Sequence, residues 1–180
     1  MSDNNTINTG YATGKNVNKI YLFDWGDTLM VDFPSANGKM HLWQNVESVK
    51  GATTTLRQLT KNHDIYIATN AADSDEQDIQ LAFERVNLAQ YISSYFCFAN
   101  TGLHKTSANF YQHIITRLNV EASSITMVGD TFAKDVVPAL ESAINAVWYN
   151  PKHLPPPVLD IPLAKNQRFR VINQLEALLT

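Results

Sequence analysis

The alternation of short β-rich runs with longer helical patterns is the feature that most constrains this chain. Runs rich in β-branched and aromatic residues predict strands at 19–25, 64–70, 95–100, 124–130 and 145–151. Between them, apolar residues at three- and four-residue spacing predict helices at 46–63, 74–86, 105–120 and 132–144. Such alternation is typical of parallel strands joined by right-handed crossovers. The sequence therefore predicts a doubly wound, Rossmann-like α/β fold, a parallel sheet of about five strands with helices on both faces.

The length of 180 residues fits one domain with a sizeable core. Residues 1–18 are rich in Asn, Thr and Gly without periodicity, which predicts a flexible arm ahead of a single core at 19–180. A proline-rich stretch at 151–162 predicts an extended connector, and the pattern at 170–179 predicts a closing helix.

Charge and hydropathy exclude several classes of partner. The net charge of −3 argues against a nucleic acid or an anionic membrane surface, both of which select basic proteins. No stretch approaches the roughly 18 apolar residues of a membrane span, and no apolar leader is visible, so we expect a cytoplasmic protein. The single cysteine, Cys97, cannot form an internal disulfide and is expected to be a buried, inert thiol.

Polar residues stand where the predicted strands end. The ligands of open α/β sheets bind beyond the carboxyl ends of the strands, so these residues are the candidates for a site. They are Asp24 and Asp27 in "YLFDWGDTLM", Thr69 and Asn70 after "IYIA", and Asp130 after "ITMVG", with Lys105 at the start of a helix. Together they offer carboxylates, a hydroxyl and an ammonium, which is the chemistry of a phosphate site with a hard divalent cation.

Four segments carry a family resemblance. In order, "YLFDWGDTL", "IYIATN", Lys105 ahead of "TSANFYQHI", and "ITMVGDTFAKD" resemble the four motifs of the haloacid dehalogenase-like (HAD) hydrolase superfamily. The resemblance spans roughly residues 19–151, and each motif falls at a predicted strand end or helix start. Most members of that superfamily are magnesium-dependent phosphatases, so the resemblance implies the same fold and a phosphoric monoester hydrolase.

The resemblance also implies roles for individual side chains around phosphorus. Asp24 would attack phosphorus and form an aspartyl-phosphate, which splits one difficult hydrolysis into two easier steps. Thr69 and Asn70 would bind the phosphoryl group, with the Thr69 hydroxyl donating to one of its oxygens. Lys105 would neutralise charge on the transferring group and on Asp24.

A magnesium ion is the implied cofactor. Its ligands would be the carboxylates of Asp24 and Asp130 and the backbone carbonyl of Gly26. Asp135 would hold a metal-bound water or orient the lysine. Without a cation these carboxylates would repel one another and the phosphate.

The first motif departs from the family pattern. In the phosphatases of the superfamily it reads Asp-x-Asp-Gly-Thr, and the second aspartate protonates the leaving group and then activates water. Here glycine holds that position, in Asp24-Trp25-Gly26-Asp27-Thr28. General acid or base catalysis contributes about 10²- to 10⁴-fold, so slower turnover is expected. One hypothesis is that the glycine lets the Asp27 carboxylate reach the leaving group.

Two functions from different classes follow from these residues. The leading one is a magnesium-dependent phosphohydrolase that acts through Asp24 on a phosphorylated small molecule or macromolecule. The alternative is a catalytically weak module that binds a phosphorylated ligand or a protein. The loop at about 30–45 has room only for a minimal cap, so the site is expected to be open to a bulky substrate or covered by a partner subunit in a homo-oligomer. His41, Leu42 and Trp43 are the predicted rim contacts.

Overall fold

A single parallel sheet organises the molecule. The computed structural model describes residues 19–180, and the predicted arm at 1–18 lies outside the described residues. The strands are β1 (Lys19–Phe23), β2 (His63–Ala68), β3 (Ser94–Phe96), β4 (Ile125–Gly129), β5 (Asn145–Tyr149) and β6 (Phe169–Ile172). They lie in the order β3-β2-β1-β4-β5-β6, and every neighbouring pair is parallel. The predicted doubly wound α/β fold is confirmed.

Helices connect the strands. The α-helices are α1 (Ala52–Leu59), α2 (Glu76–Arg85), α3 (Phe98–Thr101), α4 (Ala108–Leu118) and α5 (Val137–Glu141). Short 3-10 turns lie at Met40–Leu42, Ala89–Tyr91, Ala122–Ser124 and Leu175–Leu179, and a π-helical turn at Phe132–Val136 leads into α5. In the described part of the chain, no helix combines the length and the apolar character needed to cross a membrane.

The sheet separates two apolar cores. Phe23 packs in one core with Leu56 of α1 and Phe83 of α2. Its neighbour Leu22 packs in the other core, with Phe110 of α4. Successive residues of a strand point to opposite faces, so burial on both faces produces the continuous apolar runs of the sequence. The expected helices on both faces are present.

The C-terminal segment differs from the prediction. Residues 170–179 were expected to form one helix, but β6 occupies the first part and only Leu175–Leu179 is helical. β6 pairs in parallel with β5, from Ala146↔Phe169 to Tyr149↔Ile172. The sheet therefore has six strands rather than about five. Pairing with the exposed edge of β5 satisfies backbone groups that the local periodicity does not report.

The first helix is shorter than predicted, because residues 46–51 are not helical. The backbone N–H of Val31 donates to the Glu47 carbonyl, and the N–H of Val49 donates to the Leu29 carbonyl, both at 2.9 Å. These long-range bonds use groups that a longer helix would need. Gly51, with φ of 86°, is the N-cap of α1 and precedes its first residue, Ala52.

Further boundaries move, and the helix predicted at 105–120 begins at Ala108, so Lys105 lies in the loop before it. The third strand was predicted to run to residue 100, but it ends at Phe96 and α3 follows. The helix predicted at 74–86 begins later, at Glu76. The N-cap of α2 is Asp75, whose carboxylate accepts from the Asp78 N–H at 2.9 Å, while the Asp78 carboxylate accepts from the Asp75 N–H at 3.0 Å.

Candidate active site

The carboxyl ends of three neighbouring strands form the floor of the candidate site. Phe23, the last residue of β1, is in register with Ile67 of β2 and with Val128 of β4. Asp24 therefore lies level with the ends of both neighbours. The strand order also changes direction between β1 and β4, and this is where ligands bind in open α/β sheets.

Lys105 is a buried ammonium between two carboxylates. Its side chain is 3% exposed, and Nζ makes ion pairs with Asp24 Oδ1 and, at 2.8 Å, with Asp135 Oδ1. Burial alone would lower the pKa of Lys105, but the charges of Asp24 and Asp135 outweigh it and hold the pKa above its usual value. A permanently charged group thus faces the predicted nucleophile.

Asn70 and Thr69 follow β2. The Asn70 side-chain Oδ1 accepts from the backbone N–H of Lys105 at 2.6 Å, which ties the loop carrying the lysine to the end of β2. Thr69 is 5% exposed, and its Oγ1 accepts from the Ala71 N–H at 3.0 Å. Both residues line the cleft described below, and their contact with a phosphoryl group stays a prediction.

Asp135 is held at both carboxylate oxygens. Oδ1 pairs with Lys105, and Oδ2 accepts from the Thr131 N–H at 2.8 Å. Burial raises the pKa of Asp135 above its usual value, against the opposing effect of the Lys105 charge. A Cβ added at Gly129 would lie 2.3 Å from the Asp135 carboxyl carbon. The glycine at the end of β4 is therefore required for this carboxylate to reach the lysine.

The donor set fits a magnesium ion. Asp24, Asp130 and Asp135 each offer a carboxylate oxygen, and these oxygens lie within 4.8 Å of one another. Burial, and then the neighbouring Asp24 charge, raise the pKa of Asp130. One lysine offsets three carboxylates only in part, and hard oxygen ligands are those that magnesium selects. The Gly26 carbonyl as a further ligand stays a prediction.

Thr28 and Trp148 hold Asp130 in place, and the sequence reasoning missed both. The fully buried Thr28 hydroxyl donates to Asp24 Oδ2 at 3.3 Å and accepts from the Asp130 N–H at 3.1 Å. Trp148 Nε1 donates to the Asp130 carbonyl at 2.7 Å. Thr28 stands inside the first motif, which is a usable signal. The strand residue Trp148 gave none.

The turn after Asp24 carries the altered motif. Its left-handed residue is Asp27, with φ of 54°, a conformation that aspartate tolerates better than most residues. Asp27 Oδ1 accepts from the Asp32 N–H at 3.1 Å. A Cβ added at Gly26 would lie 3.4 Å from Asp32 Oδ2. Partial burial, and then the charges of Asp27 and Asp24, raise the pKa of Asp32.

A cleft of about 330 Å³ lies over these groups. Its lining includes all of the predicted site residues: Asp24, Gly26, Asp27, Thr69, Asn70, Lys105, Asp130 and Asp135. Trp25, Met40 and Trp43 give one wall an apolar character, and Trp25 Nε1 donates to Met40 Sδ at 3.1 Å. The structure thus brings the candidates from four separate motifs together in one concavity.

The predicted rim is only partly at the cleft. Of His41, Leu42 and Trp43, the tryptophan lines the cleft, whereas Leu42 is 72% exposed outside it. Arg85 of α2 fixes this segment by donating to the carbonyls of His41 at 3.0 Å, Gln44 at 3.1 Å and Trp43. The rim segment is therefore tied to α2.

Comparison with protein families decides where the chain belongs. A model of haloacid dehalogenase-like hydrolases matches residues 26–143. This chain belongs to the HAD-like hydrolase family. The matched range begins just after Asp24 and includes the segments that carry Thr69, Lys105, Asp130 and Asp135.

A curated relative is the pyrimidine 5'-nucleotidase PynA of Streptococcus pneumoniae (strain ATCC BAA-255 / R6). It is 27% identical over 118 residues, which are 64% of this chain and 48% of the relative. The chain therefore spans about half the length of this nucleotidase.

Solved structures share the fold. An uncharacterized protein from Listeria monocytogenes serotype 4b is 21% identical, with a TM-score of 0.77, covering 89% of this chain and 97% of that protein. The HAD-hydrolase YfnB from Bacillus subtilis, a structure bound to magnesium, is 21% identical, with a TM-score of 0.62 over 73% of this chain and 54% of YfnB.

Proposed function

We propose that this HAD-like hydrolase is a magnesium-dependent phosphatase that acts through an aspartyl-phosphate on Asp24. The observation that carries the proposal is the buried ammonium of Lys105, paired with Asp24 and Asp135 at the edge of a three-carboxylate cluster. A pure binding site has less need of a carboxylate placed in this way. The name of the nucleotidase relative points to the same class of reaction.

Each side chain of the site has a separate proposed role in the transfer of the phosphoryl group. The Asp24 carboxylate attacks and displaces the leaving group, and Lys105 offsets the negative charge that builds up on the phosphoryl oxygens. The Thr69 hydroxyl donates to one of these oxygens. Asp24 and Asp130 would hold a magnesium ion, which would neutralise charge between the carboxylates and the phosphate. Asp135 keeps the lysine aimed at Asp24.

Departure of the leaving group requires a proton, and Gly26 has no side chain to give one. One hypothesis from the sequence is that the Asp27 carboxylate takes this part. A missing acid would cost about 10²- to 10⁴-fold, or about 3 to 5 kcal/mol of barrier, most of it on poor leaving groups.

The substrate is proposed to be a phosphate monoester that reaches an exposed cleft. Pyrimidine nucleoside 5'-monophosphates are the first compounds to test, because a curated relative carries that activity in its name. Trp43 on the cleft wall offers an apolar surface to an organic group beside the phosphate. The cytoplasmic location and the homo-oligomer stay predictions.

The altered first motif favours one alternative. A chain without the acid at position 26 would serve as a module that binds a phosphorylated ligand or a protein without turning it over. The two functions differ in whether phosphate is released.

The test measures phosphate release from a panel of phosphorylated compounds, with magnesium and with EDTA. The panel contains acetyl phosphate, p-nitrophenyl phosphate, and pyrimidine and purine nucleoside 5'-monophosphates. We expect magnesium-dependent release that Asp24→Asn abolishes and that Asp160→Asn, in the exposed connector, leaves unchanged. Ligand binding without release from any ester would establish the binding module instead.

A further inference from the structure

The glycine in the first motif leaves a space that another carboxylate fills. A Cβ built on Gly26 would lie 3.4 Å from Asp32 Oδ2 and 3.5 Å from Asp32 Cβ. The Asp32 carboxylate therefore lies beside position 26, in van der Waals contact with the place that a Cβ there would take. The two positions are six residues apart in the chain but adjacent at the cleft.

The Asp32 side chain is free to act on a substrate. It is exposed and lines the same cleft as Asp24 and Lys105. Lys105 neutralises Asp24 and Asp135, but it makes no ion pair with Asp32. The Asp32 carboxyl group is therefore available to the leaving group of a substrate that binds in this cleft.

The backbone on either side of Asp32 is fixed. Asp27 Oδ1 accepts from the Asp32 N–H at 3.1 Å, and the Val31 N–H donates to the Glu47 carbonyl at 2.9 Å. The Asp27 carboxylate is thus already engaged in holding the segment that carries Asp32. Its left-handed backbone serves the turn.

We propose that Asp32 supplies the acid and base carboxyl that Gly26 lacks, and that Asp27 is a positioning residue for it. The inference rests on the phosphatase function proposed above. It assigns the proton transfer to a residue outside the four family motifs.

The two half-reactions balance as follows. As the bond between phosphorus and Asp24 forms, the bond to the leaving oxygen breaks, and the Asp32 carboxyl gives its proton to that oxygen to release an alcohol. In the second half-reaction, the water oxygen attacks phosphorus, and the Asp32 carboxylate takes a proton from that water. The bond to Asp24 then breaks, inorganic phosphate leaves, and Asp32 is again protonated.

The first experiment compares leaving groups by kcat/KM, which reports the steps up to departure of the leaving group. Asp32→Asn keeps the shape of the side chain and removes the proton. We expect a loss of about 10²-fold or more on a nucleoside 5'-monophosphate, whose alcohol needs protonation, and under about tenfold on p-nitrophenyl phosphate. Asp160→Asn, in the exposed connector and outside the cleft, should change neither by more than about threefold.

A second experiment, with the same two substrates, tests the role of Asp27. Asp27→Asn keeps an oxygen that accepts from the Asp32 N–H and tolerates the left-handed backbone, so it should retain most of the activity on both esters. Asp27→Ala removes the acceptor and should lose activity. A selective loss on the nucleotide in Asp27→Asn, with Asp32→Asn active, would assign the proton transfer to Asp27 and overturn the inference.

A rescue variant separates chemistry from damage to the fold. In the Asp32→Ala background there is room at position 26, so Gly26→Asp should restore at least about tenfold of the lost kcat/KM on the nucleotide. In the wild-type background the same change crowds two carboxylates and should reduce activity. Magnesium affinity, measured by calorimetry, should stay the same in Asp32→Asn.

The outcomes distinguish failure of this inference from failure of the proposed phosphatase function on which it rests. A wild-type protein that releases no phosphate from any ester overturns both. Wild-type turnover that Asp32→Asn retains in full on the nucleotide overturns the role of Asp32 alone.

Discussion

The cleft has two halves that are built differently. The strand-end half consists of Asp24, Thr69, Lys105, Asp130 and Asp135. The loop half consists of Gly26, Asp27, Asp32, Gly38 and Trp43. The first is set by the register of three parallel strands and by a buried charge network, and the second by hydrogen bonds within a loop whose residues are partly or fully exposed.

This difference separates what each half can vary. A change in the strand-end half disturbs a buried ion pair and the magnesium ligands together, so it should alter stability, metal affinity and turnover at once. A substitution in the loop half affects side chains that are in contact with solvent. It should therefore alter mainly the dependence of turnover on the leaving group and the KM for the substrate. That division explains how the first motif can lose its acid while the rest of the machinery stays intact.

The largest effect is expected from Lys105→Met in the strand-end half. It leaves Asp24 and Asp135 together without a cation, which should cost about 3 to 5 kcal/mol of unfolding free energy without metal and at least about 10²-fold in turnover. Urea unfolding and phosphate release measure the two. Lys39→Met is the control, because its ion pair with Asp78 involves a lysine that is 40% exposed. Equal losses in both variants would contradict the distinction between the halves.

The next effect is expected from Gly129→Ala. The added Cβ would meet the Asp135 carboxyl carbon at 2.3 Å and push it away from Lys105 and Thr131. We expect magnesium affinity to fall about 10- to 100-fold, as when a supporting contact of a metal site is lost. Calorimetric titration of magnesium tests this.

The matched control for that change is Gly38→Ala in the loop half. Gly38 has φ of +72° with no atom within 4 Å of an added Cβ, so the substitution strains only the backbone. It should lower stability by about 1 kcal/mol and leave magnesium affinity unchanged. A fall in affinity equal to that of Gly129→Ala would show that the two halves are coupled.

The smallest effect is expected from Arg85→Met, which frees the rim segment. Its guanidinium holds the carbonyls of His41, Trp43 and Gln44. We expect KM to rise severalfold, with kcat nearly constant, and hydrogen exchange to quicken at residues 40–45. Arg57→Met, on the exposed side of α1, should change neither quantity. A large fall in kcat would place the rim segment in the chemistry instead.

The sequence predicted the strand-end half well because its signals are local. Asp24, Thr69 and Asp130 each follow an apolar run, and the parallel register then places the ends of their strands side by side. The missed elements depend on distant partners. β6 exists because the edge of β5 is available to pair, and α1 starts late because residues 47–49 bond with 29–31.

The sequence by itself determined the α/β fold and the residue types of the candidate site, since strand and helix periods and their polar ends are written in neighbouring positions. Only the tertiary structure decided which groups meet. Thr28 reaches the backbone of Asp130 across 102 positions, and Asp32 comes to lie against Gly26 through the turn at Asp27. Such contacts depend on how distant segments pack, a property that no local pattern encodes.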